Sequence, residues 1–268
     1  MTALAPTRFG SAVAVQLRVL VSLMLREMRM HAKHSRLSYL LELLEPMLQL
    51  TMMMTIFTAI GRQADFGTSL LLFLGTGMIP YFTFVHISSK AMSTMRSTGL
   101  TKNVPLVKPL DLMLARSFLE ALQLAIVAVV LFTGIHLIMG VSEAQPIRPL
   151  NVIFAFALIT TAAIGVGIIN GVIGSFFRLW AVVYGVFARS LLFLSAVFYV
   201  PDFMPTQIRQ YLVWNPVLHG VEWFRTGFYL TYPTLCLDKT YLMAWALGSV
   251  FLGLIMERAL RNRRMAAK

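Results

Sequence analysis

Charge is scarce in this sequence: Asp, Glu, Lys and Arg make up 13% of its 268 residues, about half of what a water-soluble domain carries. With 58% of the residues apolar and a mean hydropathy of +0.75, water is excluded as the main solvent. Cysteine is nearly absent as well. Cys236 stands alone, which rules out an intrachain disulfide framework and a cysteine-built metal cluster. None of the 17 glycines is followed by Lys, so the phosphate-cradling loop of nucleotide hydrolases is missing and the chain cannot burn ATP in that way by itself. Nor is there an uninterrupted polar stretch able to form a soluble nucleotide-sugar domain. His31, His34, His86, His136 and His219 are scattered; only the first two lie close together, on a basic segment where a solvated pair is the simpler reading than a metal site. No nucleophile, base and carboxylate stand together in the sequence, so the chain reads as a non-enzyme without a metal. A cleavable leader is not expected, because Arg8, Arg18, Arg26 and Arg29 interrupt the N-terminal region.

What the chain has in abundance is long apolar runs. A helix crossing the hydrocarbon core of a bilayer needs about 20 mostly apolar residues, and six stretches offer them. These are residues 40–60, led by Glu42 and Glu45; 66–88, without a charged residue; 120–139, following Glu120; 150–177; 179–200, interrupted by Arg189; and 241–256. The fourth contains Gly165, Gly167, Gly171 and Gly174, small residues that let a neighbouring helix come close. Ahead of the first run, Arg18, Arg26, Arg29, Lys33 and Arg36 share one face at about 3.6 residues per turn, with Val13, Leu17, Leu20, Met24 and Met28 opposite. That pattern predicts an amphipathic helix lying along a membrane surface. Residues 201–239 are too apolar for a free loop and too interrupted for a span, being punctuated by Asp202, Pro205, Arg209, Pro216, Glu222, Arg225 and Pro233. They predict short re-entrant helices that dip partway into the membrane before the last span.

A net charge of +12 would suit nucleic acid in a polar chain; in one this apolar it reports topology, because Lys and Arg gather in cytoplasmic loops. The N-terminus, the loop with Lys90, Arg96, Lys102 and Lys108, the turn with Arg178, and the tail with Arg258, Arg261, Arg263, Arg264 and Lys268 are all basic. Six spans place these segments on one side. The other side is balanced: Arg62 with Asp65, Glu143 with Arg148, and Asp202, Glu222 and Asp238 against Arg209, Arg225 and Lys239. The expectation is an all-α membrane protein with both termini cytoplasmic. It divides into a surface helix over 1–36, a membrane region over 37–258 and a basic tail over 259–268.

Ionisable residues beside the spans are candidates for function, since a charge near the bilayer centre is costly unless paired or hydrated. Arg116 and Glu120 lie one helical turn apart and are expected to pair. Glu42 and Glu45 are also about one turn apart, with Glu45 before Pro46, where a carboxylate is favoured by the helix dipole. A proton-coupled carrier would bury a carboxylate midway along a span, and spans two, four and six have none.

The order of these features resembles a known family. The surface helix is followed by Tyr39-Leu40-Leu41-Glu42-Leu43-Leu44-Glu45-Pro46, and the second span contains Phe73-Leu74-Gly75-Thr76-Gly77-Met78-Ile79-Pro80. Next come Asn103-Val104-Pro105-Leu106-Val107-Lys108-Pro109-Leu110-Asp111, and then Trp214-Asn215-Pro216-Val217-Leu218-His219-Gly220-Val221-Glu222-Trp223-Phe224-Arg225. Over nearly its whole length the chain resembles the permease subunits of type-two ABC exporters, and specifically the branch exporting capsular polysaccharide from Gram-negative bacteria. Permeases for O-antigen, teichoic acid or small lipophiles share the general layout, and a proton-coupled carrier working alone is the alternative from another class.

The resemblance implies a homodimer in the inner membrane, two cytoplasmic ATPase subunits binding ATP and Mg, a periplasmic co-polymerase or adaptor, and an outer-membrane export protein. Lipid-linked polysaccharide is the implied cargo. The loop over 92–104 then reads as a coupling helix seated on the ATPase, with Arg26, Arg29, Met95, Arg96, Lys102 and Asn103 as coupling residues. A sugar polymer offers hydroxyls and flat apolar faces, which aromatic side chains can meet. Tyr81, Phe82, Trp180, Tyr184, Phe198, Tyr199, Trp214 and Trp223 are the candidate path residues, with Arg116 and Arg189 as cationic attractors for an acidic polymer. Each of these aromatics also has a plain reading as a packing residue or an interface anchor.

Overall fold

The computed structural model describes residues 9–34, 36–96 and 108–266, with side chains over 14–29, 44–96 and 108–261. Among the described residues there are helices and turns and no strand. The helices are α1 (Phe9–His34), α2 (Arg36–Ala59), α3 (Leu70–Arg96), α4 (Pro109–Met139), α5 (Pro149–Phe176), α6 (Trp180–Leu194), α7 (Thr206–Leu212), α8 (Pro216–Arg225) and α9 (Lys239–Ala266).

Local chemistry sets several of these boundaries. Proline opens α4, α5 and α8, where its fixed φ suits the first helical position and its missing N–H has no partner to lose. Asp111 reaches back to accept from the Lys108 backbone N–H at 3.2 Å, and Asn215 caps α8 by accepting from the Val217 N–H at 3.0 Å. The far end of α4 stops at Gly140, which takes the left-handed conformation at φ 68°.

The hydropathy pattern becomes a bundle centred on α3. Of its most apolar window, 78% is buried inside the protein, against 28% for α4 and 28% for α9, so α3 is the axis and the other two form part of the rim. α5 lies between α3 and α9, α4 flanks α3, α1 packs along α4, and α8 tucks against α3 and α5. Close approach of α5 depends on its glycines. A Cβ built on Gly167 would meet the Ala91 Cβ at 2.4 Å, one on Gly171 the Met95 Cβ at 2.5 Å, and one on Gly165 the Ser249 Oγ at 2.3 Å. These residues therefore serve packing on two sides of one helix, as their spacing led one to expect.

Among the described residues, four helices are long and apolar enough to cross a membrane: Leu70–Arg96, Pro109–Met139, Pro149–Phe176 and Lys239–Arg261. They correspond to the second, third, fourth and sixth expected spans. The third is longer than expected because the charged turn holding Arg116 and Glu120 continues the helix back to Pro109. For the fifth, α6 stops at Leu194 instead of running to Val200. Its 15 residues make a rod of about 22 Å, short of the roughly 30 Å of hydrocarbon. The first expected span lies within the 24 residues of α2 except for Ile60, just past its end.

On α1, the face packed against the protein is turned away from the expected apolar stripe. Leu17 and Met28, placed on the apolar stripe, are 57% and 38% exposed, while Leu23 and Glu27 are buried. The face turned to the protein follows Gln16, Leu20, Leu23 and Glu27, and its selection by two polar contacts to α4 explains the offset.

Replacing Gly167 with Ala forces a methyl against Ala91 and the Ser88 carbonyl, and is expected to destabilise the purified protein by about 1–3 kcal/mol. Gly134→Ala, where nothing lies within 4 Å of the new methyl, is expected to be neutral or slightly stabilising. Thermal unfolding in detergent reads the difference, and equal losses for the two would contradict this packing.

Candidate functional site

The aromatic candidates divide by how their polar tips are satisfied. Along the contact of α3 with α6, the Tyr81 hydroxyl donates to the Ala188 carbonyl at 3.0 Å, and the Tyr184 hydroxyl lies 2.6 Å from Ser88 Oγ. Trp180 Nε1 donates to Asn170 Oδ1 at 2.9 Å. Phe82 is buried with its ring against Tyr81 and His86. These side chains bind α3, α5 and α6 into one wall, with their hydroxyl or indole groups turned into the protein. The outer face of α6 carries Val182, Val183, Val186, Phe187, Ser190 and Phe193, all exposed, and Arg189 stands exposed among them. A guanidinium on an otherwise apolar surface is costly in lipid unless hydrated or paired.

The remaining aromatic candidates gather around α8. Phe198 is buried between Phe57 and Phe193, and its carbonyl accepts from Arg62. The Tyr199 hydroxyl donates to the Phe193 carbonyl at 3.0 Å. Trp223 is buried, with Lys239 Nζ 5.0 Å from its ring centroid, a cation–π distance. Trp214 is 73% exposed; its carbonyl accepts from the Tyr241 hydroxyl, which in turn accepts from Trp245 Nε1. Asp238 opens α9, and the N–H of Tyr241 bonded to it holds its carboxyl below the ordinary range.

Sequence reasoning counted Glu222 and Arg225 among balancing charges on the far side; what it did not show is that the two meet in the protein's interior. Both are 0% exposed and lie 3.8 Å apart. Arg225 Nη1 donates to the carbonyls of Ala196 and Tyr199 at 2.8 and 3.2 Å and to the Tyr232 hydroxyl at 3.2 Å. Its Nη2 donates to the carbonyls of Val197 at 2.8 Å and Phe73 at 3.4 Å. The guanidinium also sits 4.0 Å from the Phe73 ring centroid, and the Tyr232 hydroxyl donates to Glu222 Oε1 at 2.6 Å. Gly77 leaves the room: a Cβ there would stand 2.7 Å from Arg225 Nη2. Ala196 takes a left-handed φ of 57°, a strain of roughly 1–2 kcal/mol for a residue with a side chain, and its carbonyl is one of the acceptors.

The charges near α4 are also redistributed. Arg116 and Glu120 do not form the expected one-turn pair. Arg116 Nε donates to Glu27 Oε2 of α1 at 2.8 Å, and Gln16 Nε2 donates to Asp111 Oδ1 at 2.7 Å, so two polar bridges fasten α1 to α4. Glu120 turns to α3 instead, with His86 Nδ1 at 3.5 Å and Lys90 Nζ at 3.6 Å. The helix surface brings partners from other elements nearer than the residue one turn away.

Among the coupling candidates, Arg26 lies 3.5 Å from Glu27 with its side chain 40% exposed, and Arg29 is exposed. Met95 is fully buried and faces Gly171, so its role inside the chain is packing. Arg96 Nη2 donates to the Arg178 carbonyl at 3.4 Å. Lys102 and Asn103 lie outside the described residues. Sequence reasoning missed Glu27 altogether, although it is the sole acidic residue in the first 36. It also missed the Arg225 cluster, whose acceptors, the Tyr232 hydroxyl apart, are backbone carbonyls that leave no trace in side-chain identity.

Arg225→Lys keeps the charge but cannot reach two sets of carbonyls at once. We expect it to cost about 3 kcal/mol or more and to remove most folded protein from the membrane. Glu222→Gln keeps an acceptor for Tyr232 and should be milder. Monodisperse yield after detergent extraction reads both, and a well-folded Arg225→Lys variant would refute the assignment.

Similarity to known proteins accords with this geometry. Polysialic acid transport protein KpsM of Escherichia coli is 30% identical over 248 residues, covering 92% of this chain and 95% of that protein. Capsule polysaccharide export inner-membrane protein CtrC of Neisseria meningitidis serogroup B is 26% identical over 230 residues, 85% of this chain and 86% of its own length. BexB of Haemophilus influenzae, also a capsule polysaccharide export inner-membrane protein, is 25% identical over 257 residues, 94% of each chain. The profile of the ABC-2 type transporter family matches residues 18–229, from within α1 through the α3 axis to just beyond Arg225: the chain belongs to the ABC-2 type transporter family.

Proposed function

We propose that this chain is the channel-forming permease of an ATP-driven exporter that moves lipid-linked capsular polysaccharide across the inner membrane. The observation that carries the reading is the end-to-end similarity to capsule-export proteins, with 95% of KpsM covered. It is joined to a chain that has apolar helices and no nucleotide-hydrolysing loop of its own. In this reading two copies enclose the path, and two ATPase subunits bind ATP and Mg beneath them. A periplasmic co-polymerase or adaptor and an outer-membrane protein continue the route.

The membrane carries six spans, with α2 as the first and the short α6 as the fifth, and both termini are cytoplasmic by the distribution of Lys and Arg. α1 rests at the cytoplasmic surface, and α7 and α8 enter from the periplasmic side. The exposed apolar face of α6 turns toward the second copy and the path, where water hydrates Arg189. Trp214 is accessible to a passing polymer. Tyr81, Phe82, Trp180, Tyr184, Phe198, Tyr199 and Trp223 shape the wall from behind that surface, since their polar tips or rings are engaged within the chain. The coupling loop over 92–104 precedes Lys108 and Pro109, where α4 begins just before the residues that fasten α1 to it. Movement of an ATPase under this loop reaches α1 and α4 as a unit.

Deleting the gene is expected to abolish surface polysaccharide and leave polymer inside the cell, and undiminished surface polysaccharide would end this reading. Replacing both Arg96 and Lys102 with Glu is expected to lower permease-stimulated ATP hydrolysis about tenfold, the scale of two lost charge contacts. The permease itself should remain in the membrane. Normal stimulation in that variant would take the loop out of the coupling mechanism.

A further inference from the structure

The partners of Glu120 border a cleft of about 480 Å³ between α3, α4 and α6. α3 gives one wall, with His86, Ser89 and Lys90, and Ser93 at its rim; α4 gives Glu120; α6 gives Ala181, Tyr184 and Gly185. Glu120 lies 11 residues beyond the start of α4, or about 16 Å along its axis, and its side chain is only 15% exposed. The turns of α4 before it carry Asp111 and Arg116 and the charge-free apolar run begins after it, so Glu120 stands at the entrance to the span, where an ionisable group is costly unless paired or hydrated. The ion pairs of Glu120 explain how the charge is tolerated but leave open why a cleft stands beside them, with polar groups on the α3 and α4 walls and apolar surface on α6. Holding helices together would need no opening.

We infer that this cleft is a binding subsite for one sugar unit of the exported polymer, an inference that rests on the polysaccharide reading above. Three features favour a polyhydroxyl ligand. The carboxylate of Glu120 is matched by the ammonium of Lys90 at 3.6 Å, so no net charge selects an anion or a cation. A phosphate headgroup would meet the Glu120 carboxylate at once. Acceptors and donors nevertheless stand side by side: the Glu120 oxygens accept, while Lys90, Ser89 and His86 can donate. Neighbouring hydroxyls on a sugar ring each give one hydrogen and take another, which suits a paired carboxylate and ammonium. Opposite the charges, Ala181 and Gly185 project little, and with the Tyr184 ring they offer a low apolar shelf for the flat face of a sugar.

The test uses full-length permease with its ATPase in lipid nanodiscs. Cys236→Ala removes the native thiol, and Ser93→Cys, whose parent hydroxyl already donates to the Lys90 carbonyl, places a reporter at the rim. Maleimide labelling is timed with oligosaccharides released by mild acid from the host's own capsule, and separately with phosphatidylglycerol in the disc. The oligosaccharide is expected to slow labelling. Glu120→Gln and Lys90→Gln should each raise the half-protecting concentration about tenfold, as loss of one charge-assisted hydrogen bond does. Lys90→Arg should restore protection, a rescue that a merely misfolded cleft would not give. No protection, protection indifferent to both substitutions, or protection by phosphatidylglycerol alone overturns the inference. If gene deletion abolishes capsule while labelling ignores the oligosaccharide, the subsite falls and the exporter reading stands. If deletion leaves capsule intact while protection persists, the site survives the loss of that reading.

Discussion

A guanidinium sealed from solvent needs acceptors for its hydrogens or it destabilises whatever encloses it, and Arg225, with both terminal nitrogens bonded and Nε alone lacking a partner, organises this protein by that requirement. Its acceptors come from α3, from the turn after α6 and from the segment after α8. Three parts of the chain far apart in sequence are thereby held to one point. The left-handed Ala196 supplies one of its acceptors, and the bare backbone at Gly77 makes room both for the cation and for the Val197 backbone beside it. A buried ion pair seldom adds net stability over a well-packed apolar cluster. What this one supplies is registry, because neither α8 nor the α6 turn can slide without stranding a charge.

The same logic recurs at the other end of the bundle on a smaller scale. α1 could float on lipid by its apolar residues alone, many of which are exposed. Instead Gln16 and Glu27 tie it to Asp111 and Arg116 at two heights along α4, which fixes both its position and its rotation. Between these polar fixtures the helices touch through glycines and alanines, so packing supplies closeness and the charges supply address.

Much of the helical layout could be read from the residues. Apolar runs located α3, α4, α5 and α9, and the α5 glycines announced a tight neighbour. The length of α6 was misjudged because residues 195–200 are apolar yet form a turn that feeds carbonyls to Arg225; hydropathy does not distinguish a span from a buried reversal. Charge pairing was legible least. One-turn spacing suggested Arg116 with Glu120, but tertiary approach gave each a partner from another helix. The candidate aromatics were found by residue type, and only the folded chain reveals that Tyr81, Trp180 and Tyr184 spend their polar groups inward.

The Arg225 seat also has a consequence in time. Phe73, which supplies one carbonyl and the ring beneath the guanidinium, precedes it by 152 positions. At typical synthesis speeds of about 5–20 residues per second, the older half of the seat waits roughly 8–30 s for its occupant. During that interval the Phe73 carbonyl and ring are in the chain without the cation they seat, so the bundle's central helix is made well before the piece that locks it has left the ribosome.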